Sequence, residues 1–251
     1  MKILYLDCGM GAAGDMMMSA LSEIIPDQKA FIEKMNSIKI PKVVIKANRD
    51  IKCGVEGTHI NVYVNGEEEG KEHHHHDDHH HHHHTTLRDI EEIINNIEIP
   101  DEVKKNALAV YKIIAEAESY AHKCTVEEIH FHEVGTMDAV ADIVGVCLLM
   151  DMIKPDKVIS SPINLGSGFV DCAHGRLPVP APATQYIVRN IPSYIGEIES
   201  ELCTPTGAAL ISYFTDEYGE CPDMKVKTKG VGTGTKSFEK PNCLYAVLGE
   251  M

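Results

Sequence analysis

Thirteen residues, His130-Phe-His-Glu-Val-Gly-Thr-Met-Asp-Ala-Val-Ala-Asp142, hold two histidines and three carboxylates. His130 and His132 are two apart, which in an extended segment turns both rings to one side. Glu133 faces the other way unless the chain turns at Gly135. Beyond that glycine, Asp138 and Asp142 are four apart, followed by Ile143, Val144, Val146, Leu148 and Leu149. Such spacing predicts a helix with both aspartates on one face and an apolar face beside them. The expected local form is a strand end, a glycine turn and a helix start, with nitrogen and oxygen donors at the junction. Imidazole with carboxylate suits zinc, nickel, iron or manganese, and helix N-terminal amides favour anions nearby. A surface strand followed by an ordinary amphipathic helix would account for a single such residue. It accounts poorly for five donors at this density, because carboxylates beside an apolar face need partners. The spacing fits no common zinc signature such as HExxH, so the metal is not legible here.

A second group opens the chain. Lys2 to Asp7 reads as a buried strand, Cys8-Gly-Met-Gly-Ala-Ala-Gly-Asp15 as a glycine-rich turn, and Met16 to Ile25 as an apolar helix stopped by Pro26. Strand, glycine turn and helix can cradle phosphate on backbone amides. Gly9, Gly11 and Gly14 spell GxGxxG, but a second helix (Asp27 to Ser37) precedes the next strand, so the compact dinucleotide unit is missing. Asp7 and Asp15 bracket the turn and would repel a pyrophosphate unless a cation lay between. A metal-assisted phosphate or carboxylate site fits better, with a merely tight packing turn as the alternative.

Between two ordered stretches stand Gly66-Glu-Glu-Glu-Gly70, four histidines (His73, His74, His75, His76), two aspartates, and six more histidines (His79, His80, His81, His82, His83, His84). The composition predicts a low-complexity, disordered loop that captures nickel, copper or zinc without holding reacting atoms in place. A dispensable insert is the bland alternative.

These groups need a scaffold. Val43 to Arg49 and His59 to Val64 read as a hairpin around Cys53-Gly54. Leu87 to Ile94, Asp101 to Lys123 and Thr184 to Asn190 read as helices. Val158 to Pro162, Lys225 to Gly234 and Asn242 to Leu248 read as strands, with Gly230, Gly232 and Gly234 forming a phosphate-friendly loop or a bend. His174-Gly-Arg-Leu-Pro-Val-Pro-Ala-Pro-Ala183 is a stiff surface path in which His174 could reach a metal and Arg176 an anion. Thr204-Pro-Thr-Gly207 reads as a helix start able to cap itself or bind an anion. The expected fold is α/β, a mixed sheet flanked by helices, forming a single domain over residues 1–251 with the histidine-rich insert at 66–86.

With 23 basic and 38 acidic residues the chain carries a formal charge of −15. That argues against nucleic acid or an anionic membrane as main partner. No apolar run approaches a membrane span, and eight scattered cysteines without a CxxC pair suggest reduced thiols in the cytoplasm.

Several stretches together resemble the nickel-insertion (LarC) family of the lactate racemase cofactor pathway. They are YLDC-x2-G-x2-GDM at Tyr5 to Met16, HFHEVG-x2-D-x3-DIVG at His130 to Gly145, and HG-x-LPVPAPAT at His174 to Thr184. E-x-CTPTGAAL at Glu201 to Leu210 and GVGTGTKSFEKPNCL at Gly230 to Leu244 complete the set. The resemblance implies a nickel chelatase, or cyclometallase, of the lyase class. Such a protein inserts Ni(II) into pyridinium-3,5-bisthiocarboxylic acid mononucleotide through two Ni–S bonds and one Ni–C bond. It also implies dependence on CTP with Mn(II) or Mg(II), bound by a C-terminal portion that full-length members have and this chain lacks. A separate C-terminal subunit and a homo-oligomer are therefore partners to look for. Gly9 stands where the family more often has an aromatic residue, so the apparent GxGxxG is accidental.

Residue chemistry suggests the roles. The metal candidates are Asp7, Asp15, His130, His132, Asp138 and Asp142, with His174 behind them. Glu133 and His132 are the catalytic candidates, Glu133 as base. Gly11, Gly14, Thr204, Thr206, Gly207 and Arg176 are the substrate or phosphate candidates. Asp7 and Asp15 are expected to meet the His130 junction at one sheet edge. A non-catalytic nickel carrier and a metal-dependent phosphohydrolase are the competing functions.

Overall fold

Alternation along the first strand, β1 (Lys2–Asp7), sorts its side chains: Leu4 and Leu6 enter the main core, whereas Ile3 and Tyr5 join Ile159 in a small second cluster. The computed structural model describes residues 1–68, 85–131, 133–172 and 175–251, with the backbone alone at Glu68 and Glu133. Next come α1 (Gly14–Ile24), α2 (Gln28–Ser37), β2 (Val43–Lys52), β3 (Val55–Val64) and β4 (Glu67–Glu68). Then follow α3 (Leu87–Asn96), α4 (Asp101–His122), α5 (Met137–Ile153), β5 (Lys157–Ser160), β6 (Ile163–Asn164), β7 (Phe169–Cys172) and β8 (Gly175–Pro178). The last elements are α6 (Pro182–Val188), β9 (Ser193–Tyr194), α7 (Pro205–Phe214), β10 (Glu217–Tyr218), β11 (Lys225–Thr233) and β12 (Cys243–Glu250).

The main sheet has the order β10-β5-β1-β12-β11-β3-β2, with β4 added on β3. Strand β1 runs parallel to β5 and antiparallel to β12, so the sheet is mixed, as expected. Strands β11 and β3 meet in parallel at Gly232 and Thr58. The seven helices among the described residues share one core with the sheet face carrying Leu4, Leu6, Ile45, Ile60 and Leu244. Helix α5 is the middle of that core. Val140, Ile143, Val144, Val146 and Leu149 surround its axis and are all buried, the pattern of an internal helix.

Local chemistry sets the boundaries. Cys53 and Gly54 both take positive φ and close the two-residue β2–β3 turn. Asp27 caps α2 by accepting the Ala30 N–H at 2.9 Å. Thr86 and Asp89 cap α3 reciprocally: the Asp89 carboxylate accepts the Thr86 N–H, and Thr86 Oγ1 accepts the Asp89 N–H. Thr86→Ala removes that box and is expected to cost about 1 kcal/mol, seen as a lower urea midpoint at unchanged slope.

Two expectations are corrected. The His130 segment is not a strand. Phe131 makes a lone bridge to Thr85, and a 3-10 turn (Glu133–Gly135) follows. Phe131 is held instead by burial against Tyr111, ring centroids 6.1 Å apart, with Gly135 backed onto its Cβ. Gly230 and Gly232 are not a phosphate loop. They lie within β11 and face α1, where an added Cβ would stand 2.1 Å from the Ala20 carbonyl and 1.9 Å from the Met16 carbonyl. Gly234 likewise backs onto Asn242. The flanks of the histidine-rich insert are built: Glu67 and Glu68 pair with Val64 and Tyr63, and Thr85 pairs with Phe131. Residues 69–84, with the ten tract histidines, lie outside the described residues.

Candidate functional site

Three helix starts converge on one cleft of about 270 Å³. The two glycine- and threonine-bearing turns dock side by side: the Ala12 N–H donates to Leu202 O at 3.1 Å and the Thr204 N–H to Ala12 O at 3.0 Å. This brings the start of α1 next to the start of α7. Glycine permits the contact, since a Cβ at Gly207 would fall 2.0 Å from the Ala12 carbonyl. Helix α5 arrives across α1. Gly14 leaves room for the Asp142 side chain, and Gly145 leaves room for Met18 one turn further along α1. Gly14, Asp15, Asp138, Asp142, Thr204 and Thr206 all line the cleft, with Glu201 and, from β3, His59 and Asn61.

The electrostatics follow from this geometry. Asp15 and Asp138 lie in the first turns of α1 and α5, where the helix dipole favours negative charge. No lysine or arginine lines the cleft among the described residues. Burial pushes the Asp15 carboxyl above its ordinary value; His59 and the amides of its own turn pull it down, and Asp138 pushes it further up. Tyr111, fully buried on α4, has its pKa raised well above the usual phenol value by burial and then by Asp138 and Asp142. The Thr136 hydroxyl donates to Asp138 at the start of α5. Cys8 is pushed up to about 12 by burial, and burial raises Cys203 behind Thr204 as well. The donors offered near the cleft are therefore carboxylate and imidazole, not thiolate. Among the described residues no three His, Cys, Asp or Glu side chains already close on a point suited to a metal ion. The arrangement can attract a divalent cation and release it again.

A second cavity, of about 300 Å³, adjoins the first. The two share Val134, Glu201 and Pro205. Glu118 and His122 of α4 line the second cavity, together with Val170, Cys172 and Leu177 of the β7–β8 hairpin.

A family model described as nickel insertion protein matches residues 4–251. The chain belongs to this family. A Clostridium kluyveri member, named pyridinium-3,5-bisthiocarboxylic acid mononucleotide nickel insertion protein, is 41% identical across all of this chain and 62% of its own length. Members of the same name from Clostridium acetobutylicum and Geobacillus kaustophilus are each 39% identical over the whole chain, covering 64% and 60% of their own lengths. The chain thus spans about three fifths of the length of these curated relatives. No solved structure matches it. No helix among the described residues is long and apolar enough to cross a membrane.

Within this nickel insertion family member, the residues singled out from sequence separate into groups. Asp15, Asp138 and Asp142 meet, and Gly14, Thr204 and Thr206 join them. Asp7 does not. Strand alternation places it with Ile3 and Tyr5, on the face opposite Leu4 and Leu6, and its carboxylate accepts the Gly9 N–H at 2.9 Å. His130 is exposed and does not line the cleft, because its neighbour Phe131 takes the inward position. Gly11 takes a positive φ and packs on the Leu202 backbone, so it serves the turn and leaves no space there for phosphate. Gly207 is likewise occupied by Ala12. Thr204 Oγ1 accepts the Gly207 N–H as the α7 cap. Arg176 lies over the Phe169 ring at 4.8 Å on the exposed hairpin and lines neither cavity. His132, His174 and the Glu133 side chain lie outside the described residues.

Sequence reasoning missed His59, Tyr111 and the cleft role of Glu201. His59 was visible only as the first residue of an alternating strand, and Tyr111 only as part of a helical apolar stripe. Glu201 opens the E-x-CTPTGAAL stretch, where nothing local marks it as a cleft residue.

Proposed function

We propose that the chain takes up Ni(II) in the three-helix cleft and inserts it into pyridinium-3,5-bisthiocarboxylic acid mononucleotide. The observation that carries this reading is the convergence of Asp15, Asp138 and Asp142 in a cleft that no lysine or arginine lines among the described residues. Carboxylates bind Ni(II) through oxygen and yield it to softer sulfur ligands, which is what transfer to two thiocarboxylates requires. The start of α7 receives the substrate phosphate at Thr206, near the positive end of the helix dipole. The adjoining cavity supplies room for the remainder of the mononucleotide. Forming the Ni–C bond releases the ring C–H proton. Glu133, the chain neighbour of the cleft residue Val134, is the base in this scheme, with His132 as the second candidate.

Turnover with CTP and Mn(II) or Mg(II) belongs to the same proposal, as do delivery of nickel from His73–His76 and His79–His84, a second subunit, and action in the cytoplasm. The test is to incubate chain, nickel, CTP, Mg(II) and the bisthiocarboxylate nucleotide, and to follow the nickel-bearing product by mass spectrometry. Asp138→Asn is expected to lower its yield on the order of 100-fold. Wild-type yield from that variant would move the chemistry out of the cleft.

A further inference from the structure

His59, on β3, lines the same cleft as the carboxylates of α1 and α5. Its Nδ1 is 2.8 Å from the Thr233 carbonyl oxygen. A carbonyl only accepts, so Nδ1 carries a hydrogen, which leaves Nε2 as the nitrogen able to offer a lone pair to a metal. Metal-binding histidines are typically oriented in this way, by a backbone carbonyl or carboxylate on the far nitrogen. Thr233 is itself fixed, its hydroxyl 2.9 Å from Asp50 Oδ2 on β2, and β11 meets β3 one residue away at Gly232 and Thr58. The ring is thus held by two strands rather than by a loop. A second observation lies on the helix side. The Tyr111 hydroxyl is wholly enclosed, has no hydrogen-bond partner among the described residues, and feels the charges of Asp138 and Asp142. An unmet donor beside two carboxylates suits a site whose carboxylates shift when a cation arrives.

We propose that His59 Nε2 is a nickel ligand of this cleft, completing with Asp15 and Asp138 a mixed imidazole–carboxylate set that closes on the ion. The inference rests on the reading that the cleft receives nickel. One nitrogen donor among oxygens strengthens the site for nickel over magnesium or calcium, while leaving it weaker than the sulfur set of the substrate.

The experiment uses the 251-residue chain with the ten tract histidines changed to asparagine, so that the tract does not mask a single structured site. Calorimetric titration with Ni(II) is expected to show one site, weakened about 10- to 100-fold by His59→Gln and comparably by Asp15→Asn. Circular dichroism confirms folding of each variant. His59→Cys is expected to bring a sulfur-to-nickel charge-transfer band absent from its parent. Unchanged affinity in His59→Gln with loss in Asp138→Asn would overturn the role of His59 and leave the cleft as the nickel site. Unchanged affinity in both would overturn the cleft reading and the inference together. A folded His59→Cys protein that binds nickel without the new band would also overturn it.

Discussion

Asp15→Asn is expected to make the metal-free protein more stable and, in the proposed insertion reaction, to lower product yield on the order of 100-fold. The two effects have one cause. Asp15 is driven into the interior beside Asp138, so its charged form is less favourable in the folded chain than in the unfolded one. The folded carboxyl therefore holds its proton to higher pH than the ordinary value of 3.8. Between the unfolded and the folded value the native state binds more protons, and stability falls as pH rises through that window. Asparagine removes this slope and keeps the side-chain shape. Relief of such a site is commonly worth about 1 kcal/mol, which for a chain of this size raises Tm by about 2–4 °C. The same change removes a nickel-attracting charge. Thermal melts of wild type and variant at pH 4 and pH 7 check the first effect, with a larger gap at pH 7. Product assay checks the second. A variant that is less stable at pH 7 would show that Asp15 is there to hold the fold together.

Gly232→Ala is expected to be among the most damaging single methyl additions in the chain. Helix α1 lies directly on β11, and the added Cβ would meet the Met16 carbonyl at 1.9 Å and the Ala20 amide nitrogen at 2.7 Å. These are backbone atoms, with no flexible tip to swing aside. Helix and sheet must separate, at or above the roughly 3 kcal/mol upper end of ordinary overpacking. The displacement also reaches the cleft, because Gly232 pairs with Thr58, the neighbour of His59, and α1 carries Asp15. Urea denaturation and soluble yield measure the effect. Gly219→Ala, where an added Cβ meets nothing within 4 Å, is the control and should stay within about 0.5 kcal/mol of wild type. Equal stability of the two variants would contradict the close helix–sheet contact.

The sequence by itself determined most of the long elements, because their signals are local. Apolar alternation marked β3, Pro26 bounded α1 within a few residues, and Cys53-Gly54 marked the hairpin turn. It also determined the family resemblance and half of the site: Asp138 and Asp142 are one helical turn apart whatever surrounds them. Tertiary structure decided which distant donors join them. Asp7 and Asp15 look equivalent in sequence, each at one end of the same turn. Strand alternation sends Asp7 to the opposite face of the sheet, while Gly14 and Gly145 let α5 press against α1 and bring Asp142 to Asp15. His59 could not be singled out from its strand, since its meaning lies in the Thr233 carbonyl, 174 residues away in the chain. The glycines carried the least legible signal. Gly11, Gly207, Gly230 and Gly232 read as a phosphate cradle because one residue type serves both purposes, and only the packed fold shows that each marks a place where two backbones touch.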